Sequence, residues 1–432
     1  MAKTAYISRL SDPLVEEALE TFGAVVIEGP KWCGKTTSAE RFAKSEFKIL
    51  DPAGRFQNRR FAQADPAGVL VGARPRLIDE WQEVPMLWDA VRFACDEAGG
   101  EPGQFILTGS SVPRPKDKKR QADDPDVPAH GGAGRIGRVR MSTLSMAESG
   151  ASSGEISLAG LMEGERYSSA PSSATLGTYA ELVCRGGWPS VVSMTTRQAM
   201  LTAAGYIEAV ASSDMSRVDG VRRDSVKVSR LIASLARNES TLATNKVLLA
   251  DMGGEGVADS TLRDYLDALR RIFFTEDIPA WNPALRSPVK MRATAKRHLA
   301  DPSLAAAALG ATPKSLLRDL KTLGFLFESL VVHDLMVYAR PLDATVCHYH
   351  DDVDLECDAI VAMPGGDWGA FEVKLGTDEE DAAAKSLCAL ERKMVARGER
   401  PPAVKAVVVG VGGFGYVRPD GVQVVPLDKL GA

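Results

Sequence analysis

The stretch GPKWCGKTT at residues 29–37 combines glycine, lysine and threonine at a spacing that suits a phosphate chain. Gly29 and Gly34 permit backbone angles that turn the N–H groups of the loop inward, toward phosphate oxygens. Lys35 is placed to reach the β- and γ-phosphates of a nucleotide, and Thr36 offers a hydroxyl to Mg²⁺. The cofactor-binding residues predicted in this loop are Gly29, Pro30, Lys31, Trp32, Cys33, Gly34, Lys35, Thr36 and Thr37.

The sequence on both sides of this loop predicts the elements that hold it. Residues 24–27 form a short apolar run of the kind found in buried strands, and residues 36–45 have a helical pattern. A helix that starts inside the loop directs its positive N-terminal end at a bound anion. Because strand, glycine loop and helix follow in this order, a chance glycine turn is the weaker explanation.

Two further predicted strands end in polar side chains. The strand in RPRLIDEWQE, 74–83, ends in Asp79, which we expect to hold Mg²⁺ through water, and Glu80, which we expect to polarise the attacking water as a catalytic residue. The strand in GQFILTGSS, 103–111, has Thr108 and Ser110 at its polar end, where they are placed to sense the γ-phosphate. Each motif alone is also typical of a solvated turn. Because α/β sheets bind ligands at the carboxyl ends of their strands, the three motifs together predict an ATPase-type site.

Four motifs follow one another along the N-terminal part of the chain, and their order resembles a known family. They are GPKWCGKTT, LIDEWQEVPMLWDAVR, FILTGSS and GRIGRVRMSTLSMAESG. Together they resemble bacterial and archaeal AAA-type ATPases with a C-terminal domain of unknown function. LVCRGGWP at 182–189 and HLADPSLAAAALG at 298–310 are also typical of that family, so the resemblance covers nearly the whole chain.

The resemblance implies a P-loop NTPase domain with ATP and Mg²⁺ as cofactors. It places Lys35 and Thr36 in the Walker A motif, with Thr36 and Asp79 as metal ligands, and Asp79 and Glu80 in the Walker B pair. Three arginines in GRIGRVRM are candidates for a finger that stabilises charge in the transition state: Arg135, Arg138 and Arg140. Arg138 is assigned to the cofactor site. A purely structural role for these arginines stays open.

Composition shifts divide the chain into four predicted segments. Residues 1–147 form the AAA-type ATPase domain, in which 111–134 is a polar loop predicted to be mobile, with a basic KDKKR run. Residues 148–215 form a helical linker or lid, 216–295 a winged-helix-like module, and 296–432 an α/β PD-(D/E)xK nuclease-like domain. The overall fold class is therefore α/β.

The predicted winged-helix module is locally basic. Residues 217–297 contain fifteen Lys and Arg against ten Asp and Glu. The sequence predicts three helices whose order and spacing are typical of a helix-turn-helix: VKVSRLIASLARN, LATNKVLLADMG and VADSTLRDYLDALRRIFF. In that interpretation Ser260, Thr261 and Arg263 face a DNA groove, and Arg270 and Arg271 lie near the DNA backbone. The alternative is a lid or assembly module, because Leu262, Leu266 and Leu269 have the spacing of a core stripe.

Acidic residues of the C-terminal segment follow the layout of a nuclease core. GFLFESLVVHDLMVY, 324–338, is helical in period and places Glu328 near an apolar face, and CDAIVAM and GAFEVKL predict two strands joined by PGGDW. Glu372 and Lys374 share one face of their strand, where Asp358 of the partner strand can meet them. We expect Glu328, Asp358, Glu372 and Lys374 to be catalytic, with Asp358 and Glu372 as Mg²⁺ ligands. The AFEVKLG string resembles the ExK strand of that superfamily, but Cys357 stands where the signature has proline. An inactive domain is the alternative.

Bulk properties restrict the class of protein. The net charge of −5 and the charged fraction of 25% give no general reason to expect nucleic-acid or membrane binding. No stretch approaches the roughly 20 apolar residues of a membrane span, and acidic residues near the N-terminus do not suit a signal peptide. These two features predict a cytoplasmic protein without a membrane partner.

The six cysteines are scattered and predict reduced thiols. His348 and His350 match no zinc pattern and predict an exposed edge strand or loop.

The expected function is ATP binding and hydrolysis coupled to a DNA-directed nuclease-like C-terminal domain. The alternative is a nucleotide-gated regulatory or assembly protein that binds a protein partner or DNA without cutting. Double-stranded DNA, a protein partner and a second copy of the chain all stay open as partners beside ATP.

Overall fold

The computed structural model describes residues 6–53, 56–113, 131–253, 257–284 and 294–432. The chain forms two compact units. The first comprises Met1–Thr143, Ser212–Arg223 and Tyr265–Phe274, and the second comprises Leu144–Ala211, Asp224–Asp264 and Thr275–Ala432. The boundary predicted at 147/148 therefore lies close to one of these borders. Most of the loop predicted at 111–134, with its KDKKR run at 116–120, lies outside the described residues.

A parallel sheet forms the centre of the first unit. Its strands are β1 (Ala24–Glu28), β2 (Ser45–Lys48), β3 (Arg76–Asp79), β4 (Phe105–Gly109) and β5 (Ile136–Arg140). Their order is β2-β3-β4-β1-β5, and every neighbouring pair is parallel. Since parallel strands end at the same edge, the residues after β1, β3 and β4 are neighbours in space.

Helices of the first unit flank this sheet. They are α1 (Asp12–Thr21), α2 (Lys35–Phe42), α3 (Gln57–Ala64), α4 (Pro66–Val69) and α5 (Met86–Glu97), and a 3₁₀ turn follows β3 at Trp81–Glu83. Alternate strand residues enter different apolar clusters. Val26 packs in the cluster that contains Trp88, and Val25 packs in the cluster that contains Cys33. The inner strands β1 and β4 are nearly continuous apolar runs because both of their faces are buried.

The middle of the chain is helical, as the sequence predicts. The bounds are α6 (Leu158–Met162), α7 (Leu176–Arg185), α8 (Thr196–Ala209), a π-helical turn (Val210–Asp214), α9 (Met215–Arg217), α10 (Ser225–Arg237), α11 (Asn245–Asp251) and α12 (Asp259–Arg271). The three predicted helices of the basic segment are confirmed as α10, α11 and α12, while their arrangement as a winged helix stays a prediction. α12 is divided between the two units, since Tyr265 and the residues after it belong to the first.

Arg271 does not lie where the DNA-binding interpretation placed it. Its side chain is buried within the first unit, where it pairs with Asp219 at 3.3 Å and donates to the carbonyl of Val112 at 2.9 Å. Arg223, also buried, bonds the same Asp219 at 2.8 Å. Local excess of positive charge in the sequence therefore overstates the charge that this segment exposes.

A mixed sheet forms the core of the second unit. Its strands are β7 (Thr345–His350), β8 (Glu356–Ala362), β9 (Trp368–Gly376), β10 (Val404–Val411), β11 (Tyr416–Val417) and β12 (Gln423–Pro426), in the order β11-β12-β10-β9-β8-β7. The pairs β7–β8 and β8–β9 are antiparallel, and β9, β10 and β12 are parallel. The two strands predicted around PGGDW are confirmed as β8 and β9.

Helices complete the second unit. They are α13 (Pro302–Ala308), α14 (Pro313–Leu316), α15 (Leu320–Ala339) and α16 (Glu380–Ala396), with 3₁₀ turns at Arg340–Leu342, Thr377–Glu379 and Leu427–Lys429. A two-stranded sheet pairs β6 (Ile156–Ser157) with β13 (Leu430–Gly431). The predicted linker that begins at 148 is thus joined to the end of the chain.

The helix α15 departs from the expectation that no stretch resembles a membrane span. Residues Leu320–Leu342 are long and apolar enough to cross a membrane by length and composition, and an 18-residue window within them has a mean hydropathy of 1.3. However, 72% of that window is buried inside the protein. Its apolar character is explained by packing on all sides in a core, as in buried helices generally.

Candidate nucleotide site and C-terminal charge cluster

The glycine loop joins the end of β1 to the start of α2, as predicted. Gly34 takes a φ of 104° at the N-cap of α2, a left-handed angle that suits glycine. Gly29 does not use such an angle, which corrects the reason given for it. A Cβ at Gly29 would lie 2.0 Å from the carbonyl oxygen of Met141, so glycine is required there because another backbone approaches closely.

The side chain of Lys35 is turned back onto its own loop. Its Nζ donates to the carbonyl oxygens of Gly29 at 3.0 Å and Pro30 at 2.8 Å, and the residue is buried. Trp32, in contrast, is 60% exposed and has a φ of 66°. Lys31 bonds Asp214 at 2.5 Å, within the same unit. The lysine that is predicted to bind phosphate is thus held at the loop by neutral carbonyl groups.

Arg9, a buried arginine from the N-terminal segment, holds the glycine loop through hydrogen bonds to main-chain carbonyl groups. Nη1 of Arg9 donates to the carbonyl of Cys33 at 2.7 Å, and Nη2 donates to the carbonyl of Ser142 at 2.7 Å. Arg9 thereby connects the glycine loop to the chain that follows β5. The role of Arg9 was not predicted from the sequence, because a single arginine upstream of the first helix has no motif of its own.

The carboxylate of Asp79 meets hydroxyl groups from two neighbouring elements. Its Oδ1 accepts a hydrogen bond from Thr36 Oγ1 at 2.8 Å and another from Thr108 Oγ1 at 2.6 Å. The backbone N–H of Glu80 donates to the same Thr108 oxygen at 3.0 Å. These contacts link the glycine loop, the end of β3 and the end of β4 at one edge of the sheet.

Glu80 has an unusual backbone and a well-defined partner. Its φ of 59° and ψ of 47° are left-handed angles, which cost a residue with a Cβ about 1 kcal/mol or more and often mark functional sites. Oε2 of Glu80 accepts from Ser110 Oγ at 2.9 Å and also from Gln82 Nε2. The predicted catalytic carboxylate and the predicted sensor hydroxyl are therefore in direct contact.

The three arginines considered as fingers have other partners in the first unit. Arg138 pairs with Glu28, at the end of β1, and its guanidinium lies 4.9 Å from the ring centre of Trp88. Burial raises the pKa of Glu28, an effect that Arg138 opposes. Arg135 bonds Asp96 at 2.8 Å, and the Arg140 guanidinium lies over the ring of Phe273 at 4.0 Å. None of these contacts assigns the finger role.

The C-terminal carboxylates also come together, on β8, β9 and α15 of the second unit. Asp358 Oδ2 accepts from the backbone N–H of Val373 at 2.9 Å and lies 3.8 Å from Lys374 Nζ. Lys374 donates to Glu372 Oε2 at 3.0 Å, which agrees with the expectation that both side chains share one face of β9. Burial of the Glu372 carboxyl raises its pKa to about 8.

A second lysine, which the sequence analysis missed, completes this cluster. Lys296 Nζ contacts Glu328 Oε1 and lies 3.2 Å from Asp358 Oδ1. Burial opposes charge on Lys296, but the two carboxylates outweigh it and raise the pKa of its ammonium group. Burial raises the pKa of Glu328 to about 8, whereas the two ammonium groups overcome burial at Asp358 and lower the pKa of its carboxyl. We name Lys296, Glu328, Asp358, Glu372 and Lys374 the charge cluster.

Of the two histidines expected on an exposed edge strand or loop, His350 is exposed at the end of β7, whereas His348 is not. His348 lies on β7, the predicted edge strand, but it is buried and its Nε2 contacts the carbonyl of Thr294 at 3.0 Å. Burial lowers the pKa of His348 to about 4. Across the residues that the structure describes, no group of three or more His, Cys, Asp and Glu side chains is arranged to hold a metal ion. All six cysteines are free thiols.

The two candidate sites differ in how they would suit Mg²⁺. At the sheet edge of the first unit, the Thr36 hydroxyl and Asp79 Oδ1 lie within 2.8 Å of each other, and both are oxygen ligands of the kind that Mg²⁺ prefers. These residues fit the ion. In the charge cluster, ammonium groups already contact the acidic oxygens, so the residues do not fit it in the same way.

Comparison with known proteins identifies the class of the first unit. Residues 21–149 match the family model described as an AAA domain, and residues 176–315 and 323–430 match two domains of unknown function, DUF8612 and DUF4143. No curated protein sequence matches the chain significantly. A solved structure, described as a Walker-type ATPase of Pyrococcus abyssi, is similar over 70% of this chain and 96% of that chain, with 14% identity and a TM-score of 0.40. The AAA match, together with the parallel sheet and its glycine loop, makes the first unit a P-loop ATPase-type domain.

Proposed function

We propose that the first unit binds Mg–ATP and hydrolyses the bond between its β- and γ-phosphates, which releases ADP and phosphate. The observation that carries this proposal is the meeting of three sheet-edge groups at Asp79, which accepts hydrogen bonds from Thr36 and Thr108. Next to it, Glu80 contacts Ser110. A phosphate loop, a metal-ligand pair and a carboxylate with its own hydrogen-bond partner are the parts that phosphoryl transfer to water requires.

Each residue has a distinct task in this proposal. Lys35 exchanges its contacts with the loop carbonyls for the β- and γ-phosphates, which are stronger partners for an ammonium group. Thr36 and Asp79 hold Mg²⁺, which when bound neutralises charge on the phosphates. Glu80 orients the attacking water and accepts its proton, and Ser110 holds Glu80 in position.

The test separates nucleotide binding from turnover. Lys35→Ala should lose tight ATP binding, because the only ammonium group assigned to the phosphates is removed. Glu80→Gln should still bind ATP but lose turnover by about 10²–10⁴-fold, the usual contribution of a general base. Glu83→Gln is the matched control, since Glu83 lies 3.7 Å from Arg59 and has no part in the site. Tight binding of ATP by Lys35→Ala would contradict the assignment of the glycine loop as the nucleotide site.

We extend the proposal to the second unit as a nuclease-like domain that nucleotide state presents to DNA. The support is the placement of Asp358, Glu372 and Lys374 on adjacent strands, with Glu328 on α15 beside them. The exposed side chain of Arg263 on α12, which lies in the second unit and pairs with Asp259 at 2.7 Å, supplies positive charge for phosphate groups. Recognition of DNA or of a protein partner without cutting is the second candidate, and the contacts of Lys296 with the carboxylates favour it.

Two measurements distinguish these candidates. ATP turnover is compared with and without double-stranded DNA at low salt, because phosphate contacts weaken as salt rises. If DNA stimulates ATP turnover and this stimulation disappears in Glu80→Gln, DNA is supported as the partner. If DNA does not change ATP turnover, a protein partner is supported instead. DNA cleavage that disappears in Asp358→Ala and Lys374→Ala supports a nuclease. The absence of cleavage on several forms of DNA supports the second candidate.

A further inference from the structure

The charge cluster contains a cation supplied by the chain itself. The nuclease-like layout assigns metal binding to acidic side chains, yet Lys296 Nζ contacts Glu328 and lies 3.2 Å from Asp358 Oδ1. We infer that the Lys296 ammonium group takes the position of the divalent cation, so that the native cluster binds no Mg²⁺ and supports no metal-dependent cleavage. This inference deepens the proposed function of the second unit in favour of recognition without cutting, and it rests on the proposed nuclease-like layout, not on the ATPase site.

Lys296 is fixed in the cluster by its own main chain. Its N–H donates to the carbonyl of Ile278 at 2.9 Å, and its carbonyl accepts from the N–H of Ile278 at 3.0 Å. The next residue is anchored too, since the N–H of Arg297 donates to Thr241 O at 2.8 Å. The Lys296 side chain is only 11% exposed. The main-chain pairing fixes the Cα of Lys296 beside the cluster, and burial of the side chain disfavours rotamers that would take the ammonium group out of it.

Two further acidic oxygens of the cluster also have hydrogen-bond partners. Asp358 Oδ2 accepts from the N–H of Val373 at 2.9 Å, and Glu372 Oε2 accepts from Lys374 at 3.0 Å. Mg²⁺ demands near-octahedral oxygen ligands and retains several waters. In the cluster the ion would have to displace the ammonium groups that already donate hydrogen bonds to these carboxylates.

The charge balance of the cluster points the same way. Glu328, Asp358 and Glu372 can carry three negative charges, and Lys296 and Lys374 carry two positive charges within contact distance of them. The lysines therefore neutralise most of the acidic charge. A divalent cation added beside two ammonium groups would meet like-charge repulsion in a buried site, where water screens it weakly.

If this assignment is right, removal of the ammonium group should create a metal site. Lys296→Met keeps the length of the side chain and deletes its charge, which leaves Glu328 and Asp358 without their shared cation. Mn²⁺ is a suitable probe because it prefers carboxylate and water ligands, as Mg²⁺ does, and is detected directly by electron paramagnetic resonance. The full chain is used without nucleotide and in a Thr36→Ala/Asp79→Asn background, so that neither metal ligand assigned to the glycine-loop site remains.

With Lys296 intact, we expect no bound Mn²⁺ at concentrations up to about 1 mM, while Lys296→Met should bind about one ion per chain and lose it in Lys296→Met/Asp358→Asn. Lys405→Met is the matched control, since Lys405 pairs with Glu391 at 2.6 Å outside the cluster, and it should gain no ion. A folded Lys296→Met that gains no ion contradicts the inference.

If Lys296→Met does not fold, the inference is tested on the chain with Lys296 intact, compared with its Asp358→Asn variant. A bound Mn²⁺ that Asp358→Asn removes overturns the inference. Mn²⁺ binding near zero both with and without Asp358→Asn supports it. ATP turnover measured separately on the wild-type chain, with the glycine-loop site intact, tests the P-loop proposal, because neither Asp358 nor Lys296 belongs to that site. Failure of one proposal is therefore distinguishable from failure of the other.

Discussion

The hydroxyl of Ser110 donates a hydrogen bond to Oε2 of Glu80 over a distance of 2.9 Å. Glu80 follows β3 and Ser110 follows β4, and these strands are parallel neighbours. The contact means that the candidate base and the candidate sensor act as one unit. A change in the position of Ser110 on nucleotide binding would change the orientation of Glu80.

Ser110→Ala should therefore reduce turnover more than binding. We expect kcat for ATP hydrolysis to fall about 10–100-fold, because Glu80 loses a hydrogen bond that orients it and general-base catalysis depends on that orientation. The Kd for ATP should stay nearly unchanged, since the glycine loop keeps its contacts. Ser111→Ala, at the adjacent position, is the control. Wild-type kcat in Ser110→Ala would show that Glu80 needs no such support.

Arg9 gives a prediction about nucleotide affinity. Arg9→Met should weaken ATP binding about tenfold, the equivalent of one charge-assisted hydrogen bond of roughly 1.5 kcal/mol, because the carbonyl of Cys33 loses its guanidinium partner. The measurement is calorimetric titration of the variant with ATP. Arg41→Met is a suitable control, since Arg41 is exposed and pairs with Asp12 rather than with the loop. Equal affinity in both variants would rule out bracing by Arg9.

The glycine loop gives a prediction about packing. Gly29→Ala should destabilise the first unit by about 1–3 kcal/mol, the usual cost of overpacking, since the new methyl group would lie 2.0 Å from the carbonyl oxygen of Met141. Gly205→Ala is the contrasting variant. Gly205 lies in α8 with no atom near the added methyl group, so alanine there should stabilise the helix by about 0.5–1 kcal/mol. Urea unfolding of both variants measures the difference, and similar effects would contradict the close approach at Gly29.

The sequence predicts those parts of the sites that depend on local order. The glycine loop, the end of β3 and the pair on β9 were placed correctly because a strand has a period of two and parallel strands end together. Lys296 could not be found in this way. It lies 62 positions from Asp358 in a basic stretch, and only the pairing of its main chain with Ile278 brings it into the cluster.

Lys296 makes contacts that the sequence did not predict, whereas Arg271 was predicted to lie near DNA and is instead buried. A basic residue at the end of a helix is typical of DNA contact, but here it has a partner within the protein. Asp219, which it meets, lies 52 positions earlier in a segment with no recognisable pattern, and the two are brought together only by the packing of the first unit. Burial and pairing of charge are tertiary properties. They decide which of the arginines and lysines counted in a sequence are available to a ligand.

Asp351 gives a prediction about the pH dependence of stability. Burial opposes ionisation of this side chain, but the Lys393 ammonium, the backbone N–H groups of Val353 and Leu355 and the Tyr349 hydroxyl outweigh it and lower the pKa of Asp351 to about 2. An aspartate in the unfolded chain titrates near a pKa of about 3.9. Between these values the unfolded chain binds more protons, so this group stabilises the fold fully above about pH 5 and loses that effect as the pH falls through about 2.

Asp351→Asn should therefore lower the free energy of unfolding by about 1–2 kcal/mol at pH 6, and the difference from wild type should shrink as the pH approaches about 3. Unfolding by urea at a series of pH values measures this difference. Asp352→Asn removes the same charge from an exposed neighbour and controls for the change in net charge. A difference between wild type and Asp351→Asn that stays constant from pH 6 to pH 3 would mean that the Asn variant loses packing or hydrogen bonds and not the ionised carboxylate, because only the ionised form is stabilised by Lys393.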